Sequence, residues 1–172
     1  MILIDSMLWI YNCDPHALEH SNVKQWLEGK EGIIEKERIL LSVIIPLETL
    51  HTLARVPNLD YMTAFNATMG IVGLENLQLL ELDIPLMLES IDYLSKYHHL
   101  GIGGRDAVLL ATMKRGEVQT LATHDKSLLR VHEFSRIDPV FDPPLDLSPG
   151  EPFQEKLFQA RLKELSNTIQ QS

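Results

Sequence analysis

The sequence predicts an α/β domain, a three-layer α/β/α sandwich built on a central parallel sheet, and three observations carry that expectation. Short β-branched or leucine-rich runs recur along the chain, longer stretches with helical periodicity lie between them, and capping or breaking residues stand at the junctions. Alternating strands and helices favour parallel pairing with right-handed crossovers and helices on both faces. A chain of 172 residues fits one such domain, because a chain near ~150 residues buries roughly two-thirds of its unfolded surface.

The first expected strand is residues 1–4, closed by Asp5. A helix over 15–27 follows, carrying Leu18, Val23, Trp26 and Leu27 and stopped by Gly29. Residues 38–41 form the second strand. Residues 43–53 form the next helix, with Ser42 as its cap and Pro46 tolerated near the first turn. Helices over 61–72 and 84–97 flank a strand at 77–82, and Asp83 and Pro85 open the second of them. The last core helix spans 105–114, between Gly103-Gly104 and Gly116, and leads to a strand at 118–122.

From residue 138 the composition changes, with Pro139, Pro143, Pro144, Pro149 and Pro152 predicting an extended connection. The domain is therefore expected over 1–141 and a proline-rich linker over 142–152. An amphipathic helix is expected over 153–172, with Phe158, Leu162, Leu165 and Ile169 on its apolar stripe.

Composition bounds the function. Hydrophobic residues make up 45% and charged residues 23%, which rejects disordered and fibrous classes. The net charge of −9 and pI near 5.2 argue against broad electrostatic capture of a nucleic-acid backbone. Carboxylates that hold a dication are nevertheless counted at full charge by that arithmetic, so the sign points to a confined substrate or a basic partner. Cys13 is the only cysteine, leaving no internal disulfide and no Cys-x-x-Cys pair for zinc or redox work. No signal peptide and no membrane-length apolar run are read, so a cytoplasmic protein is expected.

Four acids then stand out by position. Asp5 ends a parallel strand, where open α/β sheets bind ligands, although it could also cap a helix starting at Ser6. Glu48 is the only charge in the apolar run SVIIPLETL, and an isolated acid there needs a cation or a hydrogen-bonding partner. Asp106 sits in the first turn of its helix, stabilised by the helix N-terminus. The preceding GIGG lacks the Lys-Ser/Thr ending of a phosphate-binding loop and is a turn. Asp125 follows the fourth strand in LATHDKSL, where it could equally cap a short helix over 126–130, with Thr123 stabilising the turn.

Each acid alone has an ordinary structural explanation. Together they fall on one edge of one sheet, where clustered carboxylates raise each other's pKa unless a cation intervenes, and hard oxygen ligands suit Mg²⁺ or Mn²⁺.

The segments ILIDS, IIPLETL, GGRDAVLLAT and LATHDKSL resemble, in order and spacing, the successive motifs of PIN domains, over roughly residues 1–140. That resemblance implies a metal-dependent nuclease acting on RNA, often the toxin of a VapBC-type toxin–antitoxin pair and often a homodimer. It carries Asp5, Glu48 and Asp106 onto the family's invariant acids, Asp125 onto a more variable fourth, and Thr123 onto the hydroxyl residue near it. The residues after Asp142 and the histidine at position 124 depart from the usual pattern. Arg105, beside Asp106, is the best-placed candidate to contact substrate phosphate, against the alternative of a surface ion pair.

Rival readings are weaker. A haloacid-dehalogenase-like phosphatase wants a second Asp where Met7 stands, and a receiver-type phosphoacceptor wants an N-terminal acidic pair that is absent. A catalytically silent PIN scaffold that binds RNA or protein gains nothing from four uncompensated acids. His98, His99 and His124 show no paired metal-ligand spacing.

Overall fold

The apolar runs Ile2–Ile4 (β1) and Ile39–Ser42 (β2) are buried at every position, as strands covered on both faces require. They sit at the middle of a six-stranded sheet in a computed structural model that describes the backbone of residues 1–170 and the side chains of 1–162. Between β1 and β2 run α1 (Ser6–Cys13), α2 (His20–Glu28) and the short α3 (Ile33–Lys36). Helices α4 (Ile44–Leu53) and α5 (Tyr61–Val72) lead to β3 (Leu77–Leu80). Helices α6 (Ile84–Tyr97) and α7 (Gly104–Arg115) then cross to β4 (Thr120–Ala122). β5 (Ser135–Asp138), β6 (Leu145–Leu147) and α8 (Phe153–Gln170) complete the chain.

The strand order is β3-β2-β1-β4-β5-β6, parallel throughout except for β6, which is antiparallel to β5. After β1 the chain moves outward through β2 and β3, then returns to place β4 on the other side of β1. The order therefore reverses between β1 and β4, and the crevice at their carboxyl ends is where such sheets take ligands. Leu3, Ile4, Trp9, Leu40, Leu110 and Leu121 fill the main core beneath it.

The expected α/β sandwich and parallel sheet are present, with local departures. The helix expected over 15–27 starts only at His20, as α2, behind an unexpected α1, and Leu18 lies between the two, 97% exposed. α1 escaped a periodicity reading because its sequence, SMLWIYNC, is apolar nearly all round; a helix with no polar face gives no 3.6-residue signal. Ser42 does not cap α4: it is the buried last residue of β2, and Val43 takes the N-cap position. Asp83 and Asp60 do cap, accepting from Leu86 N at 2.8 Å and Thr63 N at 3.0 Å.

The proline-rich segment departs most. It contains β6, in which Leu145 and Leu147 point into the protein and Asp146 outward, the alternation of a half-buried strand. Leu145, Leu147, Phe153 and Leu129 make a second small core, with Phe141, Leu157 and Ala160 packed around it. α8 thus docks through Phe153, Leu157 and Ala160, whereas Phe158, placed on the apolar stripe from sequence, is 64% exposed. The side chains of Leu165 and Ile169 lie outside the described residues.

Candidate active site

Backbone pairing alone brings two of the expected residues together. Asp5 N donates to Ala122 O at 3.0 Å, and Thr123 N to Ile137 O at 2.9 Å, so Asp5 and Thr123 leave adjacent parallel strands side by side. Asp5 occupies the N-cap position of α1, yet its carboxylate accepts no N–H of that helix. Instead Thr123 Oγ1 donates to Asp5 Oδ2 at 2.7 Å and Ser6 Oγ to Oδ1 at 3.3 Å. The capping alternative fails for this residue.

Asp5 is 8% exposed. Burial pushes its pKa up to about 6 despite the Thr123 hydrogen bond, and the charges of Asp106 and Asp125 push in the same direction. Unlike a buried ion in a pair, this carboxyl feels the charges of two further carboxyls and, among the described residues, of no cation.

Asp106 stands in the first turn of α7, where its Oδ2 accepts Gly103 N at 2.8 Å. Burial raises its pKa, the Gly103 hydrogen bond opposes that, and Asp125 adds to the rise while Arg105 subtracts. Asp125 fulfils the capping role open to it: Oδ1 accepts Ser127 N at 2.6 Å and Leu128 N at 3.2 Å, starting a 3-10 turn over Leu128–Arg130. Thr123 Oγ1 also accepts Asp125 N at 3.0 Å, so one hydroxyl links two acids. The loops carrying Asp106 and Asp125 touch, since a Cβ on Gly101 would stand 3.0 Å from Ser127 Oγ; Gly101, at φ 89°, fits there because it has none.

Glu48 is placed differently. It is half-buried on α4 and pairs with the exposed Arg105 of α7. Arg105 therefore makes the ion pair weighed from sequence, but with Glu48 across the cleft. The structure thus links Asp5, Thr123 and Asp125 by hydrogen bonds, sets Asp106 near enough for its charge to act on Asp5, and places Glu48 on Arg105.

Two partners were missed from sequence. Ser6 supports Asp5, and its only signal was adjacency. Asp138, 1% exposed at the end of β5, accepts from or pairs with His124 Nδ1 at 2.8 Å and raises the histidine's pKa. A strand ending in an acid, as in SRID, was the available signal.

The donor chemistry fits a hard dication: one buried and two partly buried carboxyls, oriented by hydroxyl and backbone donors. Among the described residues no three His, Cys, Asp or Glu side chains surround one point as they stand. Closing the set around an ion takes rotation of carboxyl side chains, and for Glu48 the loss of Arg105, an exposed pair of small energetic value.

A family model described as PIN domain matches residues 2–133. Among solved structures, the toxin VapC20 of Mycobacterium tuberculosis, described as cleaving the sarcin-ricin loop, superposes at TM-score 0.59 and 16% identity, covering 70% of this chain and 87% of its own. VapBC2 of Rickettsia felis, solved on a DNA fragment from its promoter, gives 0.55 and 15%, covering 79% and 97%. FitAcB of Neisseria gonorrhoeae gives 0.54 and 24%, covering 74% and 91%. No curated protein sequence matches significantly. Among the described residues no helix is long and apolar enough to cross a membrane.

Proposed function

The chain belongs to the PIN-domain family, and from that premise we propose that it is a metal-dependent ribonuclease hydrolysing RNA phosphodiester bonds, as the toxin of a toxin–antitoxin pair. The observation that carries the reading is the buried Asp5 carboxyl, raised to about 6 by burial and by Asp106 and Asp125, with no cationic partner of its own. Such an arrangement is costly for stability and useful for holding a hard cation.

In this reading Asp5, Asp106 and Asp125 hold Mg²⁺ or Mn²⁺, joined by Glu48 when it leaves Arg105. The bound dication supplies Lewis-acid charge at the scissile phosphate and a water of lowered pKa. Thr123 fixes the orientation of Asp5 by donating to Oδ2, and braces the Asp125 loop by accepting its N–H. Gly103 N holds Asp106 in one rotamer. Arg105, exposed at the rim and paired with Glu48, can exchange that partner for a substrate phosphate, which would replace the charge it loses.

The partner half of the proposal draws on neighbours solved as two-component assemblies and on large apolar side chains left exposed: Leu47, Tyr61 and Met62 on α4 and α5, and Ile84, Leu88 and Ile91 on α6. A homodimer and a bound antitoxin would cover such faces. The expected place of work is the cytoplasm.

The test is cleavage of single-stranded and hairpin RNA in Mg²⁺ or Mn²⁺, against a chelator control. Asp5→Asn and Asp106→Asn should each abolish cleavage while the fold survives. Wild-type rates in either variant would overturn the reading.

A further inference from the structure

A second feature lies beside the acidic edge. A cleft of about 560 Å³ is lined by Lys96, Tyr97, His99, Arg130, His132 and Gln154, among others. Its walls continue the two segments that carry the acids: Leu100 at its rim precedes the Gly101–Asp106 turn, and Arg130 ends the 3-10 turn that Asp125 starts. Five residues separate Asp125 from Arg130, a span of at most roughly 17 Å.

Arg130 is the unusual member. Its Nε is buried with no hydrogen-bond partner, and no described acid pairs with the guanidinium, in a protein of net charge −9. That N–H is sealed from solvent by the protein itself, so it is the partly exposed end of the guanidinium, for which no described residue is a partner, that can receive a ligand. The neighbouring Lys96, by contrast, is spoken for: Glu133 binds it at 2.7 Å and binds Tyr93 and Tyr97 at 3.0 and 2.7 Å, which fixes the tyrosine wall. The opposite wall, Pro152 to Gln154, opens α8 and lies beyond the residues matched by the family model.

We propose that this cleft is a substrate subsite, in which Arg130 takes a backbone phosphate of single-stranded RNA flanking the cleaved bond and the exposed His99 ring takes a base. This rests on the ribonuclease reading for its substrate class. A planar guanidinium with open donors matches phosphate, and aromatic side chains accept any base by stacking. The C-terminal residues thereby give this chain a longer footprint on RNA than the matched domain alone would have.

The experiment is equilibrium binding of a short fluorescent single-stranded RNA, followed by anisotropy across a salt series in Ca²⁺. Arg130→Gln should weaken binding roughly tenfold, with the slope of log K against log salt shallower by about 0.7, one single-strand phosphate contact. Because Arg130 is half-buried, the exposed Gln154 gives a control on the opposite wall: Gln154→Glu should weaken binding and Gln154→Lys strengthen it. Unchanged affinity and slope in Arg130→Gln, with no opposite response at Gln154, would overturn the subsite. If an acidic peptide of equal charge bound as tightly and lost as much in Arg130→Gln, the cleft would be a protein-docking site and the proposal would fall. RNA binding that depends on Arg130 in a protein that cuts no RNA would instead retain the subsite and reject the ribonuclease reading.

Discussion

Asp5 and Arg136 are both charged and nearly or wholly buried, at 8% and 0% exposure, and they are treated in opposite ways. Arg136 on β5 donates Nη1 to Val131 O at 3.0 Å and Nη2 to Ser148 O and Glu151 O at 3.1 and 2.8 Å. Those carbonyls tie β5 to the loop before it and to the segment joining β6 to α8. Asp5 receives two hydroxyl donors and the repulsion of two other carboxyls. Burial of charge therefore does not distinguish function from structure in this protein; the distinction lies in whether the charge has been satisfied. Arg136 is a staple whose two terminal nitrogens are bonded to three carbonyls, with only its Nε left unpaired. Asp5 carries a charge that no described cation offsets.

The contrast breaks most visibly on activity. Asp5→Asn or Asp106→Asn should lower RNA cleavage by about three orders of magnitude or more, since each removes a charge from the metal-holding set. Arg136→Met should leave those acids alone, so its activity per folded molecule should stay within a fewfold of wild type, measured after active-site titration with metal and RNA.

Stability should run the other way. Arg136→Met leaves buried carbonyls unpaired and should cost about 3 kcal/mol or more in urea unfolding. Asp5→Asn should stabilise the metal-free protein at pH 7, by on the order of 1–3 kcal/mol, because it removes an acid whose folded pKa of about 6 lies above its ordinary 3.8. The sign follows from linkage: the folded state binds the proton more tightly, so the penalty is absent below about pH 4 and fully present above about pH 6. In chelator, stability should therefore fall as pH rises through that window, and Asp5→Asn should flatten the dependence. A destabilised Asp5→Asn with an unaltered pH profile would place Asp5 among the structural residues.

Thr123 sharpens the comparison at a smaller scale, since its hydroxyl serves both Asp5 and the Asp125 loop. Thr123→Val should lower the cleavage rate roughly 10- to 100-fold, the usual loss for a residue that orients a ligand. An unchanged rate would leave it a turn residue.

Removal of the residues after Asp142 probes the other region. It deletes β6 and Phe153, which pack on Leu129 just beyond Asp125, so thermal stability should fall and the Asp125 loop should loosen. Arg105→Ala should have the smallest effect: releasing Glu48 should lower the Mg²⁺ or Mn²⁺ concentration for half-maximal cleavage a fewfold, because an exposed pair is worth about 0–1 kcal/mol, while loss of the phosphate contact should weaken RNA binding and make its salt dependence shallower.

What sequence alone determined was the alternation of strands and helices and the positions of the acids along it. Apolar runs such as ILI and ILL carry their burial in their composition, and Asp83 with Pro85 marks a helix start by local chemistry. Asp5, Asp106, Thr123 and Asp125 were singled out because each stands at a junction that the local pattern defines, and Glu48 because it is a lone charge in an apolar run. Tertiary structure decided which of them meet. Only the β1–β4 pairing sets Thr123 against Asp5, and only the fold brings Glu48 of α4 within reach of Arg105 of α7. The proline-rich segment shows the same division: no local propensity marks LDL as a strand, and β6 forms because β5 offers an edge and Arg136 binds the carbonyls of Ser148 and Glu151. Local chemistry fixes where an element starts and which face it buries, whereas pairing across more than a hundred residues depends on backbone hydrogen bonds and core contacts that no short window of sequence contains.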